Sequence, residues 1–151
     1  MTGSVPCAVR RAGLADLDRL LPLFGAYREF YRRTAEPARE RSFLAERIPK
    51  GEAVVFLAES NGTAVGFTLL YPLFSSLSLR PVWVLNDLYV RPDARRTGVG
   101  AALLRHARQF AHDTGAEYLT LETARDNPAQ RLYEAEGWKR DEAFLHYERD
   151  A

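Results

Sequence analysis

The chain holds one cysteine, one methionine and three histidines, and of its 21 basic residues only Lys50 and Lys139 are lysines. A lone Cys7 excludes an internal disulfide and a cysteine-rich metal centre. No histidine lies near it in sequence to make it a nucleophile, so its expected place is a small, half-buried side chain. His106 and His112 stand six apart on one helical stretch and share no face, His146 is isolated, and no His-Glu-x-x-His run occurs. No bound metal is expected. No apolar run approaches the roughly 20 residues that a membrane helix needs, and no charged-then-apolar leader opens the sequence. A cytoplasmic protein without a membrane partner is expected. The formal net charge is +1, so the whole chain is no polyanion binder and nucleic acid is not an expected partner. The arginine excess suits bidentate anion contacts, but a codon bias explains it equally well.

What is present is an ordinary globular composition, 46% hydrophobic and 27% charged, over 151 residues. That length holds one core, and a single domain over residues 1–151 is expected. Val5–Arg11 reads as a short strand. Asp16 can cap a helix in which Leu17, Leu20, Leu21, Phe24 and Tyr27 keep helical spacing, with Pro22 inside it. A second helix fits Pro37–Ile48. Ala53–Glu59 and Thr63–Tyr71 are β-rich runs joined by Ser60-Asn61-Gly62, a hairpin signal. Pro72–Pro81 reads as a loop, Val82–Val90 as a strand, Gly98–Asp113 as an amphipathic helix, and Glu117–Ala124 as a strand. Asn127 can cap a last helix with Pro128 at its first position, Gln130 reaching back and Gly137 ending it. Trp138–Arg140 and Ala143–Arg149 read as two final strands.

The most telling stretch runs from Leu85 to Gly100. A β-rich run breaks at Pro92, passes a basic turn, and opens a helix through Gly98 and Gly100. Glycines let backbone N–H groups approach a ligand, and the new helix aims its positive end at it. This is a phosphate socket. A nucleoside-triphosphate loop would need Lys-Ser or Lys-Thr after the last glycine, where Ala101-Ala102 stand. A dinucleotide loop would need a small residue where Leu103 stands. Neither fits.

The run Arg95-x-x-Gly98-x-Gly100, the strand before it, and Asn127–Trp138 after it resemble the GNAT superfamily of acyl-CoA-dependent N-acetyltransferases. The resemblance is good over most of the second half and follows only the outline of the first. It implies an α/β fold: a single GNAT-like domain with a mixed, mostly antiparallel central sheet flanked by helices, in the order β-α-α-β-β-β-α-β-α-β-β. It also implies acetyl-CoA as cosubstrate, held at its pyrophosphate by Arg95, Arg96, Thr97, Gly98, Val99, Gly100 and Ala101. Leu88, Tyr89 and Val90 would lend their backbone to the pantetheine arm, in a groove made where the sheet splays, and Asn127 would contact the same arm. Tyr133 would protonate the departing thiolate.

The strand Trp83–Val90 is similar to that of polyamine, thialysine and related small-amine acetyltransferases, which carry Glu-Asp where this chain has Asn86-Asp87. An amide cannot accept the amine proton, so the family glutamate's role does not pass to Asn86. Asp87 is left as the base, directly or through water, with Asn86 as a substrate contact; for amines of lower pKa, deprotonation in solution is the alternative. The same resemblance puts Tyr27, Glu29 and Tyr31 on the acceptor side. It implies a small-molecule primary amine as acceptor. Acetylation of a protein lysine or N-terminus is the close alternative, and a non-catalytic acyl-CoA-binding module is the rival from outside enzymology. Related enzymes are often homodimers, and the apolar region Leu69–Leu79 offers such an interface by analogy.

Overall fold

The computed structural model describes residues 7–151, so residues 5 and 6 of the first expected strand lie outside the described residues. Five strands form one sheet in chain order, β1 (Ala8–Arg11), β2 (Val54–Ser60), β3 (Thr63–Ser75), β4 (Arg80–Val90) and β5 (Leu119–Thr120). Neighbours are antiparallel except β4 and β5, which are parallel. The helices are α1 (Leu17–Phe30), α2 (Pro37–Arg47), α3 (Val99–Asp113) and α4 (Gln130–Ala135). This is the mixed, mostly antiparallel α/β sheet the resemblance implied.

Each face of the sheet has its own core. Leu20, Phe24 and Leu44 of α1 and α2 pack on Val55, Leu57, Phe67 and Leu69. On the other face, Val99, Leu103 and Ala107 of α3 pack on Phe56, Leu70 and Leu85. The alternation of these strand residues between two buried faces is the period of a pleated sheet. The hairpin signal is realised: Asn61 and Gly62 both take positive φ, 51° and 76°, as a two-residue turn between twisted strands requires.

Three expectations are corrected. Pro72–Pro81 is not simply a loop, because β3 runs on to Ser75 and β4 starts at Arg80. Pro72 pairs with Trp83, and Phe74 with Pro81. Both prolines are tolerated because this extension is a two-stranded ribbon, and each strand has an outer edge where a missing N–H costs no ladder bond. The strand expected over Glu117–Ala124 is reduced to Leu119–Thr120. The two final strands do not form, and no strand is present in residues 138–151. A strand exists only where another edge meets it, and these runs lack one.

Candidate active site

The site begins with a strand that loses its neighbour. β4 meets β5 only at Trp83↔Leu119 and Val84↔Thr120, while it stays paired with β3 up to Val90. From Leu85 onward the β5 side of β4 is therefore an open edge. An added extended chain can hydrogen-bond such an edge.

Within that edge sits a β-bulge. Leu69 pairs with Asp87 and the next residue, Leu70, with Leu85, which leaves Asn86 as the extra residue on β4. The bulge changes which face each side chain meets. Trp83 and Leu85 pack with the α3-side core, whereas Tyr89 packs with the α1-side core, as do Phe67 and Leu69, the partners of Tyr89 and Asp87. Regular alternation would have sent Asp87 to the α3 side with Leu85. Instead it lies under α1, only 4% exposed. The Thr68 hydroxyl donates to the Asp87 carbonyl at 2.8 Å and anchors the strand beside the bulge.

Asp87 is the centre of a tyrosine cluster. Burial raises its carboxyl above the usual aspartate range, and hydrogen bonds from the Tyr27 hydroxyl and the Asn86 amide partly oppose that rise. The Asn86 Nδ2 lies 2.9 Å from Asp87 Oδ1. Burial raises the Tyr27 hydroxyl, and the Asp87 charge, Tyr31 and Tyr133 add to the effect. Tyr31 stacks obliquely on Tyr27, with ring centroids 5.0 Å apart. Tyr71, on β3, is pushed up to about 12 by burial and by Asp87. Sequence reasoning missed Tyr71, which carried no motif; only its strand register brings it to the cluster.

Tyr133 reaches the cluster from α4, on the α3 side of the sheet, where its ring packs 6.2 Å from Trp138. Burial, then Tyr31, raises its hydroxyl to about 12. It stays protonated throughout the physiological range and is a hydrogen-bond donor there. Two cores on opposite faces thus converge at the place where β4 and β5 part. The exposed Glu29 is not brought to this cluster; it lines a cavity of about 460 Å³ between α1 and α2, with Asp18 and Arg41.

The expected phosphate socket lies at the far end of the open edge. Pro92–Ala94 form one tight 3-10 turn, and Gly98 takes φ 90° just before α3. From Arg96 to Ala101 no backbone N–H has an acceptor among the described residues. Six consecutive free donors at a helix N-terminus match an anion carrying several oxygens, which a pyrophosphate is. Gly98 serves through its left-handed backbone. Gly100 serves differently: a Cβ there would lie 2.8 Å from Leu132 Cδ2, so the glycine admits α4. The Arg95 guanidinium folds back, with Nε donating to the Val90 carbonyl at 2.9 Å and the group 5.7 Å from the Tyr89 ring centroid. Arg96 forms no ion pair among the described residues.

Asn127 accepts from Ala129 N at 2.9 Å through its side chain, so it caps the turn that enters α4. Gln130 does reach back, but to the carbonyls of Ala124 and Arg125. Among the described residues no group of three or more His, Cys, Asp and Glu gathers as a metal site would, and no helix is long and apolar enough to cross a membrane.

An open strand edge leading to a helix N-terminus with free donors, beside a buried carboxylate and a tyrosine, is the arrangement expected of an acyl-CoA-dependent transferase. Residues 20–138 match the Acetyltransferase (GNAT) family. The chain belongs to that family and is an acetyl-CoA-dependent N-acetyltransferase. It is 44% identical to an uncharacterized N-acetyltransferase, YhfO, of Bacillus subtilis over 140 residues, 92% of this chain and 94% of that protein. A crystal structure of a probable acetyltransferase, 43% identical, superposes with a TM-score of 0.91 over 95% of this chain and 97% of the other. A shorter likeness, 33% over 84 residues and 49% of each protein, is to a thialysine N-ε-acetyltransferase of Bos taurus.

Proposed function

We propose that the protein acetylates a primary amine on a small molecule, an amino acid, a polyamine-like compound or a related amine, by direct attack within a ternary complex with acetyl-CoA. The carrying observation is the buried Asp87 carboxyl, with Tyr27 and Tyr71 beside it and Tyr31 packed on Tyr27, at the bulge where the open edge of β4 begins. A desolvated anion among aromatic faces suits an alkylammonium ion, through charge and cation–π attraction. The partial likeness to a thialysine acetyltransferase supports the same acceptor class.

The thioester of acetyl-CoA is the acyl donor. Its pyrophosphate is held by the free N–H groups of Arg96–Ala101, with Arg95, Arg96 and Thr97 around it, and its pantetheine arm extends along Leu88, Tyr89 and Val90 and past Asn127. Asp87 takes a proton from the bound ammonium, directly or through water, and Asn86 orients the substrate. The neutral nitrogen attacks the thioester carbon; the N–C bond forms and the carbonyl electrons move to oxygen, where a backbone N–H near Leu88 stabilises the charge. On collapse the C–S bond breaks, the thiolate leaves, and Tyr133 delivers a proton to sulfur. The second proton lost by the nitrogen restores the balance. With its hydroxyl at about 12, Tyr133 is a weaker acid than a thiol at ~8.5, so its donation acts as the sulfur charge builds and needs replenishment by the nitrogen's proton.

Release of free thiol from acetyl-CoA across a panel of small amines tests this reading. Turnover with cationic amines or amino acids is the expected result. Acetylation of protein lysines or N-termini alone would overturn the small-molecule acceptor, and CoA binding without turnover on either class would make the chain a binding module.

A further inference from the structure

Tyr133 stands on a helix that cannot hold itself in place. α4 has six residues, about half the length at which an isolated helix becomes even marginally stable in water. None of the six is fully buried, so no core grips it. Its start is tied to the turn before it by Asn127 and Gln130. Those bonds set where the helix begins. They leave its rotation, and its distance from the rest of the molecule, to be set elsewhere.

Two contacts with α3 do that. Leu132 Cδ2 packs on Gly100, 2.8 Å from where a side chain there would begin. One turn further on, the Glu136 carboxylate accepts a fork of two bonds from Arg105. Nε donates to Oε2 at 2.9 Å and Nη2 to Oε1 at 2.8 Å. Leu132 and Glu136 are four residues apart and share one face of the helix. Tyr133 is the next residue after Leu132, so it points about 100° away from that face. That direction takes it toward Trp138 and the α3-side core.

Among the described residues the Arg105 fork is the only hydrogen-bonded or charged side-chain link between α3 and α4. Glu136 is 15% exposed and Arg105 71%, so the carboxylate is the sheltered end and the guanidinium the outer one. Glu136 N also donates to the carbonyls of Leu132 and Tyr133, at 3.0 and 3.1 Å. A shift of Glu136 is therefore passed directly to the residue that carries the hydroxyl. Exposed ion pairs add little to stability, but the planar two-bond fork fixes distance and orientation together. α3 also carries, at its start, the free N–H groups for the pyrophosphate. A tie from α3 to α4 thus sets the proton donor and the cofactor against one frame.

We propose that Arg105 and Glu136 are a positioning pair for the acetyl transfer, which fixes the distance of α4 from α3 and so the place where the Tyr133 hydroxyl meets the departing sulfur. This rests on the reading of Tyr133 as the proton donor. Both residues act through Tyr133.

Steady-state kinetics on a double-mutant cycle, with acetyl-CoA and an accepted amine, tests the pair. Glu136→Gln and Arg105→Gln each break the fork. Each should lower saturated kcat about tenfold, the scale of a sub-ångström displacement at a reacting group. CoA affinity should stay within about twofold, and thermal midpoints within about 4 °C of wild type. In a Tyr133→Phe background the same substitutions should change kcat by less than about twofold, because no hydroxyl is left to misplace. Arg105 is exposed enough for its variants to fold, so the cycle is read on Arg105→Gln if Glu136→Gln unfolds. A pair that only braces the fold gives a lowered midpoint with saturated kcat intact, and that result overturns the proposal. So does an equal loss of kcat with and without the Tyr133 hydroxyl. Unchanged turnover in Tyr133→Phe alone is a different failure: it removes the proton donor itself, and the positioning role falls with it.

Discussion

Leu132 Cδ2 stands 2.8 Å from the point where a side chain on Gly100 would begin. The first turn of α3, with the free N–H groups for a pyrophosphate, thus touches the helix that carries Tyr133. In the proposed reaction, donor binding and leaving-group protonation meet at this one contact.

That contact separates the two loop glycines. Gly98→Val forces a left-handed backbone on a branched residue, a strain of about 1–2 kcal/mol, and should weaken CoA binding about tenfold with little change in kcat at saturation. Gly100→Val has to push aside the Leu132 side chain of α4 and should lower both CoA affinity and saturated kcat. Calorimetric CoA titration and steady-state kinetics check this. A normal saturated kcat in the Gly100 variant would break the link to Tyr133.

Tyr133→Phe keeps the ring and its packing on Trp138 but removes the hydroxyl. A loss of roughly 10²-fold in kcat is expected, with CoA affinity within a few fold. Because the hydroxyl lies at about 12, the wild type should show no loss from Tyr133 ionisation between about pH 7 and 10. Unchanged turnover in the variant would remove Tyr133 from the mechanism.

Asp87→Asn should stabilise the fold while it damages catalysis. The native carboxyl lies above its usual value because of burial, so the native state holds the proton more tightly than the unfolded chain. Stability is then greatest below the ordinary aspartate value and falls as pH rises through the window up to the raised one. Above that raised value the ionised group is a cost that the amide removes. A midpoint rise of about 2–4 °C per kcal/mol recovered is expected in thermal unfolding there. The acid limb of kcat/KM should vanish at a lower plateau. A variant that melts earlier and works normally would contradict both roles.

Thr68→Val leaves the buried Asp87 carbonyl without its donor, at a cost of about 1–3 kcal/mol. Thermal unfolding should shift downward. The bulge would loosen and kcat would fall, although Thr68 is fully buried and far from solvent. A variant with lowered stability and intact kcat would show that the bulge positions Asp87 without help from Thr68.

Much of this was legible in the sequence, for local reasons. Gly98 before α3, the Asn61-Gly62 turn, Gly137 at φ 88° after α4, and the two-faced buried strands follow from backbone preference and hydrophobic period. The Arg95–Gly100 run pointed to the proposed donor loop because an anion socket is built from contiguous N–H groups. Tertiary structure alone decided the rest. Asn86 looked like a defective catalytic position and is a bulge residue, whose consequence is to turn Asp87 toward Tyr27. Glu29 shares a helix with Tyr27 but faces the α1–α2 cavity, because residues two apart on a helix point in different directions. Tyr71 joined the cluster through register with β4, which no local pattern encodes. Ala143–Arg149 had the composition of a strand, yet strands are made by their neighbours, and the sequence cannot name a neighbour that the chain itself does not provide.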